Sequence, residues 1–297
     1  MYPNVLAAAK SSIWCIRLDK LQAIFDMLEQ RAAGVDADAS SLEIFAADNR
    51  RRTANRQDGM IGVIPVVGAI VHRGNLFTEA SGTASSDVLG KQVDAMMSHP
   101  DVSALVLDID SPGGQAAGIQ ELAAKIAGHR GTKPIVAQVN PEAASAAYWL
   151  ATAADEIVIT PSGDVGSIGA YAYHVDISGL NEQMGVKPTY IAYGENKVEG
   201  NPDGPLTDEA LAYVQASVDR VGRQFEVDVA KYRSVDLATV RKDWGQGRMI
   251  DASRAKSLGM VDRIGTLEET ISRAAGNGPR FKRRSKIGTW KERIDLW

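Results

Sequence analysis

Short apolar runs of strand length and longer stretches with helical spacing follow one another from about residue 60 to residue 275. Residues 61–65 and 67–71 read as strands. The polar loop 81–86 ends in an N-cap for a helix over 87–97, which His99-Pro100 closes. A buried-type strand, 102–109, runs into Asp110-Ser111-Pro112-Gly113-Gly114-Gln115 and then a helix, Ile119–Gly128. Residues 134–139 form the next strand. Asn140-Pro141-Glu142 reads as a helix start, with Asn as cap, Pro at the first helical position and Glu in the first turn, leading into a small-residue helix over 143–151. Strands follow at 155–160, 171–177 and 186–193, with a Gly-rich segment at 161–169 and a polar loop, 194–205, centred on Lys197. Thr207-Asp208-Glu209 caps a long helix, 210–232, with Leu211, Val214, Val218, Val221, Phe225 and Val229 on one face. The remainder, 236–275, holds a short helix, a Gly245-Gln246-Gly247-Arg248 turn, a helix over 252–258 and a closing strand over 260–264. Strand–helix units repeated with Gly-rich turns predict an α/β fold with a mainly parallel sheet.

Two segments stand outside this rhythm. In 1–56, Trp14, Ile16, Leu18, Leu21, Ile24, Phe25 and Leu28 fall at roughly helical spacing, predicting an amphipathic helix over 19–30, and 48–56 is a charged connector. This N-terminal helical arm is either packed on the main domain or a removable, partner-docking piece. From residue 276 the chain turns basic, with Arg280, Lys282, Arg283, Arg284 and Lys286 forming a solvated tail or a contact for nucleic acid or an acidic partner. The division is therefore 1–56, 57–275 and 276–297.

Composition narrows the class. With 297 residues, 44% of them hydrophobic and 24% charged, and a net charge of −4, the chain is an ordinary globular protein with no global pull toward nucleic acid. The longest apolar run, 60–71, is too short to span a bilayer and is interrupted by Pro65. The first residues lack a basic stretch followed by a long apolar core, so neither secretory signal nor membrane anchor is expected. The setting predicted is a cytoplasm or a particle assembled in one. One cysteine, Cys15, excludes an intramolecular disulfide, and no His/Cys cluster has metal-ligand spacing, so no metal or cofactor is implied.

Candidate chemistry lies at three places. Ser145 falls where a strand turns into a helix, among small residues that let a substrate backbone approach. It reads either as a nucleophile or as a hydroxyl bonded back within an Ala-rich helix. Gly113-Gly114 offers backbone N–H groups of the kind an oxyanion hole needs, or is merely a tight turn. Lys197 by itself is a loop lysine. Among the four histidines only His174, with Asp176 two positions on, suggests a base, and on a strand the two would share a face rather than stack as base and orienter.

Taken in order, Ser-Pro-Gly-Gly, Ala-Ala-Ser-Ala-Ala-Tyr-Trp-Leu-Ala, Gly-Ser-Ile-Gly and the Lys197 loop resemble the S49 serine peptidases, the signal peptide peptidase A family, and within it the phage capsid-assembly (prohead) protease branch. The likeness runs from about residue 60 to 270. It implies a ClpP/crotonase-like spiral of ββα units and a Ser–Lys dyad: Ser145 as nucleophile, Lys197 as general base, Ser167 orienting the lysine, and Gly113 and Gly114 forming the oxyanion hole. A lysine serves as base only where its pKa falls from about 10 toward neutral, as burial can bring about. The branch further implies scaffold protein as substrate, the protease itself as another, capsid and portal proteins as partners, and a homo-oligomeric ring joined through the 210–232 helix. Three other readings remain: an envelope-type signal peptide peptidase, a crotonase-like acyl-CoA enzyme that would use the glycines but not Ser145 or Lys197, and an inactive structural component of the capsid.

Overall fold

A computed structural model describes residues 12–32, 56–58, 61–73, 84–276 and 281. The basic cluster, nearly all of the charged connector and the start of the 81–86 loop lie outside the described residues. The fold is mixed α/β, built on two sheets.

The larger sheet is centred on β6 (Ala104–Ser111), with β3 (Ile61–Val67) parallel on one side and β8 (Ile135–Ala144) parallel on the other. The far edge of β8 takes two parallel neighbours in succession: β9 (Glu156–Ile159) beside its first half and β10 (Asp164–Gly166) beside its last three residues. β12 (Arg263–Ile264) extends the sheet from β9, β11 (Met249–Asp251) lies antiparallel on β10, and β2 (Arg56–Asp58) lies antiparallel on β3. Both faces of β6 are covered, which is why it reads as one apolar run. Leu105, Leu107 and Ile109 enter the main core with α2 (Ser86–Ser98), α3 (Ile119–Gly128) and α4 (Ala146–Thr152). Ala104 and Val106 meet Leu267 of α9 (Leu267–Ala274) on the opposite face.

The smaller sheet runs β1 (Trp14–Ile16), β7 (Gly113–Gln115), β4 (Ile70–Val71), β5 (Ala84–Ser85). The chain steps from the large sheet to the small one twice, at Gly68 and at Pro112. Gly68, with φ +75°, makes the first turn in a conformation that costs a side chain little only when there is none. Ser111 ties the two steps together: its hydroxyl donates to the Gly68 carbonyl at 2.6 Å and accepts the Gly113 N–H at 3.2 Å. The remaining helices are α1 (Leu18–Ala32), α5 (Ser178–Gln183), α6 (Asp208–Arg233), α7 (Leu237–Asp243) and α8 (Ala252–Ser257). Among the described residues, no helix is long and apolar enough to cross a membrane.

The structure departs from the sequence expectations in four places. Asn140-Pro141-Glu142 is not a helix start but the continuation of β8, with a cis Asn140–Pro141 bond. Glu142, Ala143 and Ala144 pair with Asp164, Val165 and Gly166, and Ala143 also with Ser111, so ladders on both edges override the local capping preference. Residues 171–177 form no strand beyond a single bridge between Tyr171 and Trp14. Residues 186–193 are exposed and irregular, with Ile191 at 97% and Tyr193 fully in solvent; the Tyr190 hydroxyl reaches Asp203, but this apolar run enters no core cluster of the described residues. The long helix α6 buries Phe225, Val229 and Tyr232, but its first half leaves Leu211 and Tyr213 exposed. The strands β1 and β7 and the helix α9 were not anticipated, although Thr266 and Glu269 form a capping box that marks the start of α9.

Arg130 closes the core at the C-terminal end of α4. Its side chain, 2% exposed, donates to the carbonyls of Thr152 (2.7 Å), Ala153 (2.8 Å) and Ala154 (2.8 Å) and lies over the Tyr232 ring. Arg130→Ala should therefore lose about 3 kcal/mol or more of stability in urea unfolding, with Arg130→Lys recovering little because an ammonium cannot reproduce the directed fork.

Candidate active site

Ser145 occupies the single residue between β8 and α4. Its φ of 52° and ψ of −119° place a side-chain-bearing residue in a region that favours glycine, a strained strand-to-helix elbow of the kind that presents a nucleophile. The strain is held from both sides. The Ser145 N–H donates to the Gly166 carbonyl at 2.7 Å, and its carbonyl accepts the Trp149 N–H at 2.9 Å. α4 is itself pinned: the Tyr148 hydroxyl donates to the Met260 carbonyl at 2.9 Å, the Trp149 indole N–H donates to Asp228 at 3.2 Å, and the Trp149 ring stacks on Phe225 with centroids 4.5 Å apart. A hydroxyl at such a point is positioned by buried structure rather than by its own loop.

Gly113 lies against this elbow. A Cβ built on it would come 3.0 Å from Ser145 Cβ, 2.9 Å from the Ala144 carbonyl oxygen and 2.2 Å from that of Cys15, and its φ of +100° is itself a glycine conformation. Gly114 is more confined: its Cβ would lie 1.9 Å from the Ile70 carbonyl oxygen. The glycine pair is thus a strand of the small sheet flanked closely on both edges, not the tight strand-to-helix turn the sequence suggests. The Gly113 N–H is turned to Ser111, and Gly114 stands opposite Cys15 on one side and Ile70 on the other.

Ser167 is also brought to this place. Ala144 and Gly166 are the last pair between β8 and β10, and Ser145 and Ser167 are the residues that directly follow them. Ser167, like Ser145, has a positive φ (54°), and its N–H donates to the Arg248 carbonyl at 2.8 Å. Lys197 is different. It is exposed in a turn, its N–H donating to the Gly194 carbonyl, and among the described residues no hydrogen bond or ion pair joins it to Ser145 or Ser167.

The histidines are engaged elsewhere. His72 meets Ser86 at 3.2 Å, His99 accepts the Asp101 N–H, and His129 meets Asp94 at 2.9 Å. His174 contacts the Gly204 carbonyl, while Asp176 accepts the Ser178 N–H. His174→Ala should therefore keep its rate on any peptide substrate within about threefold of wild type, whereas loss of a general base costs 10²–10⁴-fold. Initial rates on one fluorogenic peptide decide it.

A family model described as peptidase family S49 matches residues 128–278, from the end of α3 through α9 and including Ser145, Ser167 and Lys197. The chain belongs to peptidase family S49. The chain is 32% identical over 234 residues to the head-tail preconnector protein GP5 of Enterobacteria phage P21, covering 79% of this chain and 46% of that protein. It is 29% identical over 235 residues to the capsid assembly protease C of Escherichia phage lambda, covering 78% and 53%. Protease 4 of Salmonella typhi is 28% identical over 229 residues, covering 77% and 36%. The chain spans about half the length of the two phage relatives.

Two residues that brace the surroundings of Ser145 carry no signal in the sequence that marks them as such. Ser111 stands inside Ser-Pro-Gly-Gly, where a hydroxyl directly before a Pro-Gly-Gly segment is well placed to bond that segment's backbone. Arg17 lies in the N-terminal arm, far along the chain from Ser145. Its guanidinium bonds Glu142, three residues before Ser145, at 3.1 Å, and also Asp19. No local pattern links residues 125 positions apart.

Proposed function

We propose that this chain is a Ser–Lys endopeptidase of the phage capsid-assembly type. Ser145 attacks the scissile carbonyl, and Lys197 takes its proton and hands it to the leaving amine. Ser167 orients the lysine, and the Gly113-Gly114 pair forms the oxyanion hole, with the Gly114 backbone N–H as its donor. The observation that carries this reading is the strained Ser145 elbow set against Gly113 and beside Ser167. The fold proposed is the ClpP/crotonase-like spiral. Support comes from β3–β4–α2 and β6–β7–α3, each a strand of the large sheet, a strand of the small sheet and a helix. The peptidase unit is 57–275, with 1–56 as arm and 276–297 as basic tail.

The substrates proposed are scaffold and other head proteins, with the protease itself as a further one. The partners are capsid and portal proteins, and the setting is the host cytoplasm and the interior of the assembling head. The likeness to the P21 and lambda proteins supports this assignment. A lysine accepts a proton only where water is kept away, and Lys197 in a single chain stands in solvent. The exposed Ile191, Tyr193, Leu211 and Tyr213 on neighbouring stretches give a second copy an apolar surface to cover. A homo-oligomer is therefore part of the proposal.

The test is co-expression with the scaffold and major capsid proteins of the same source, read by intact mass. Wild type should leave scaffold fragments. Lys197→Ala should leave scaffold whole, with the rate down about 10³-fold or more. Fragments at the wild-type rate from Lys197→Ala would overturn the dyad. Intact scaffold with wild type would overturn the assembly role.

A further inference from the structure

A polypeptide offered to Ser145 must lie extended along β7, since β7 carries the two glycines beside the nucleophile. That position is filled. β1 runs antiparallel to β7 with Ile16 opposite Gly113, Cys15 opposite Gly114 and Trp14 opposite Gln115. On its other edge Trp14 exchanges both backbone hydrogen bonds with Tyr171, at 2.9 and 3.0 Å. The Cys15 carbonyl oxygen and Ser145 Cβ both come within 3.0 Å of the one point where a Gly113 side chain would begin. Ser145 is 1% exposed with β1 in place. The Tyr171 hydroxyl is buried in the same region and has no hydrogen-bond partner among the described residues.

We propose that Trp14–Ile16 is an intramolecular occupant of the substrate cleft, and that a polypeptide substrate enters by displacing it and taking over its ladders with β7 and Tyr171. The inference rests on Ser145 being the nucleophile. Two clasps outside the strand hold it in place: the Arg17–Glu142 ion pair at 3.1 Å, and Phe25 against Tyr173 with ring centroids 5.5 Å apart. Upstream of Trp14, Ser12 and Ile13 border a cavity of about 630 Å³ walled by Ala116, Trp149 and Val221. A substrate in the place of β1 would direct the residues on the N-terminal side of its scissile bond into this cavity, so apolar side chains there are favoured.

Cys15 makes the displacement measurable. It is the chain's one cysteine, it is fully buried within β1, and burial pushes its thiol up to about 12. Docked, it resists alkylation; released, it reacts as an ordinary thiol. The probe is β-casein, an unfolded polypeptide without cysteine, added to full-length Ser145→Ala so that no cleavage intervenes. Iodoacetamide labelling is followed by intact mass. Saturating β-casein should speed labelling about tenfold or more. Arg17→Ala should speed it about three- to fivefold without β-casein and, with Ser145 present, raise kcat/KM on β-casein by a similar factor.

If wild type cleaves β-casein while Cys15 labelling is unchanged by β-casein and by Arg17→Ala, β1 is a fixed wall and the proposal falls, with the nucleophile assignment intact. If β-casein is left whole, equal labelling of wild type and Arg17→Ala overturns the proposal by itself. Failure of the nucleophile assignment shows separately, as a fluorophosphonate that does not modify Ser145; that result removes the ground of the proposal as well.

Discussion

Ser145→Ala is expected to lose peptide hydrolysis by about three orders of magnitude or more, and to lose fluorophosphonate labelling entirely, while unfolding within about 1 kcal/mol of wild type. The two halves of this expectation come from different parts of the residue. The hydroxyl carries no hydrogen bond to any described residue, so removing it leaves no buried partner unsatisfied. The unusual conformation belongs to the backbone, held by Gly166 and Trp149, and Ala meets the same steric penalty there as Ser. A structural serine in an Ala-rich helix would behave otherwise: its loss would leave the rate untouched. Steady-state hydrolysis of a fluorogenic peptide beside urea unfolding of the same preparation separates the two. A variant that keeps a tenth of the wild-type rate would end the nucleophile assignment.

Gly114→Ala is expected to cost at least about 3 kcal/mol, the largest loss for one added methyl group in the small sheet. The new carbon would lie 1.9 Å from the Ile70 carbonyl oxygen and 2.6 Å from the Ile70 carbonyl carbon. Both are backbone atoms of the neighbouring strand, so no side chain can turn aside, and β4 and β7 must part. Gly128→Ala is the control. Nothing lies within 4 Å of its added carbon, so it should unfold within about 1 kcal/mol of wild type. Urea midpoints for the pair measure the difference directly. If Gly114→Ala matched Gly128→Ala, the close pairing of β7 with β4 would be wrong.

What the sequence made legible follows from how local each signal is. The β6 strand and the helices α2 and α3 announce themselves through apolar runs, caps and period, because one face of β6 and of each helix is buried in the main core and the other face of β6 is covered by Leu267 and its neighbours. The course of β8 past Asn140-Pro141-Glu142 was not legible. Three good helix-start residues in a row are local facts, and the ladders that overrule them come from Asp164–Gly166 and from Ser111. The same holds for β1, a three-residue strand whose partners lie about 100 and 157 positions away, at Cys15–Gly114 and Trp14–Tyr171. At the site, Ser145, Gly113, Gly114 and Ser167 could be chosen from family likeness. That Ser145 and Ser167 follow the last rung of one ladder is a matter of register, which no single stretch of sequence encodes.

The crossing at Gly68 and Pro112 has a consequence for how the molecule can tolerate change. It gives the protein two separate sets of backbone hydrogen bonds. The large sheet, with β6 between β3 and β8, carries Ser145 at the end of β8; the small one, with β1 and β7, meets it on the Gly113 side. Exchanging a rung in the second set leaves every rung of the first in place. Cys15, Ile70 and Ala84 of the small sheet nevertheless pack in the same core as Leu105, Leu107 and Ile109, so substitutions along β1 register in the melting of that core as well as beside Ser145.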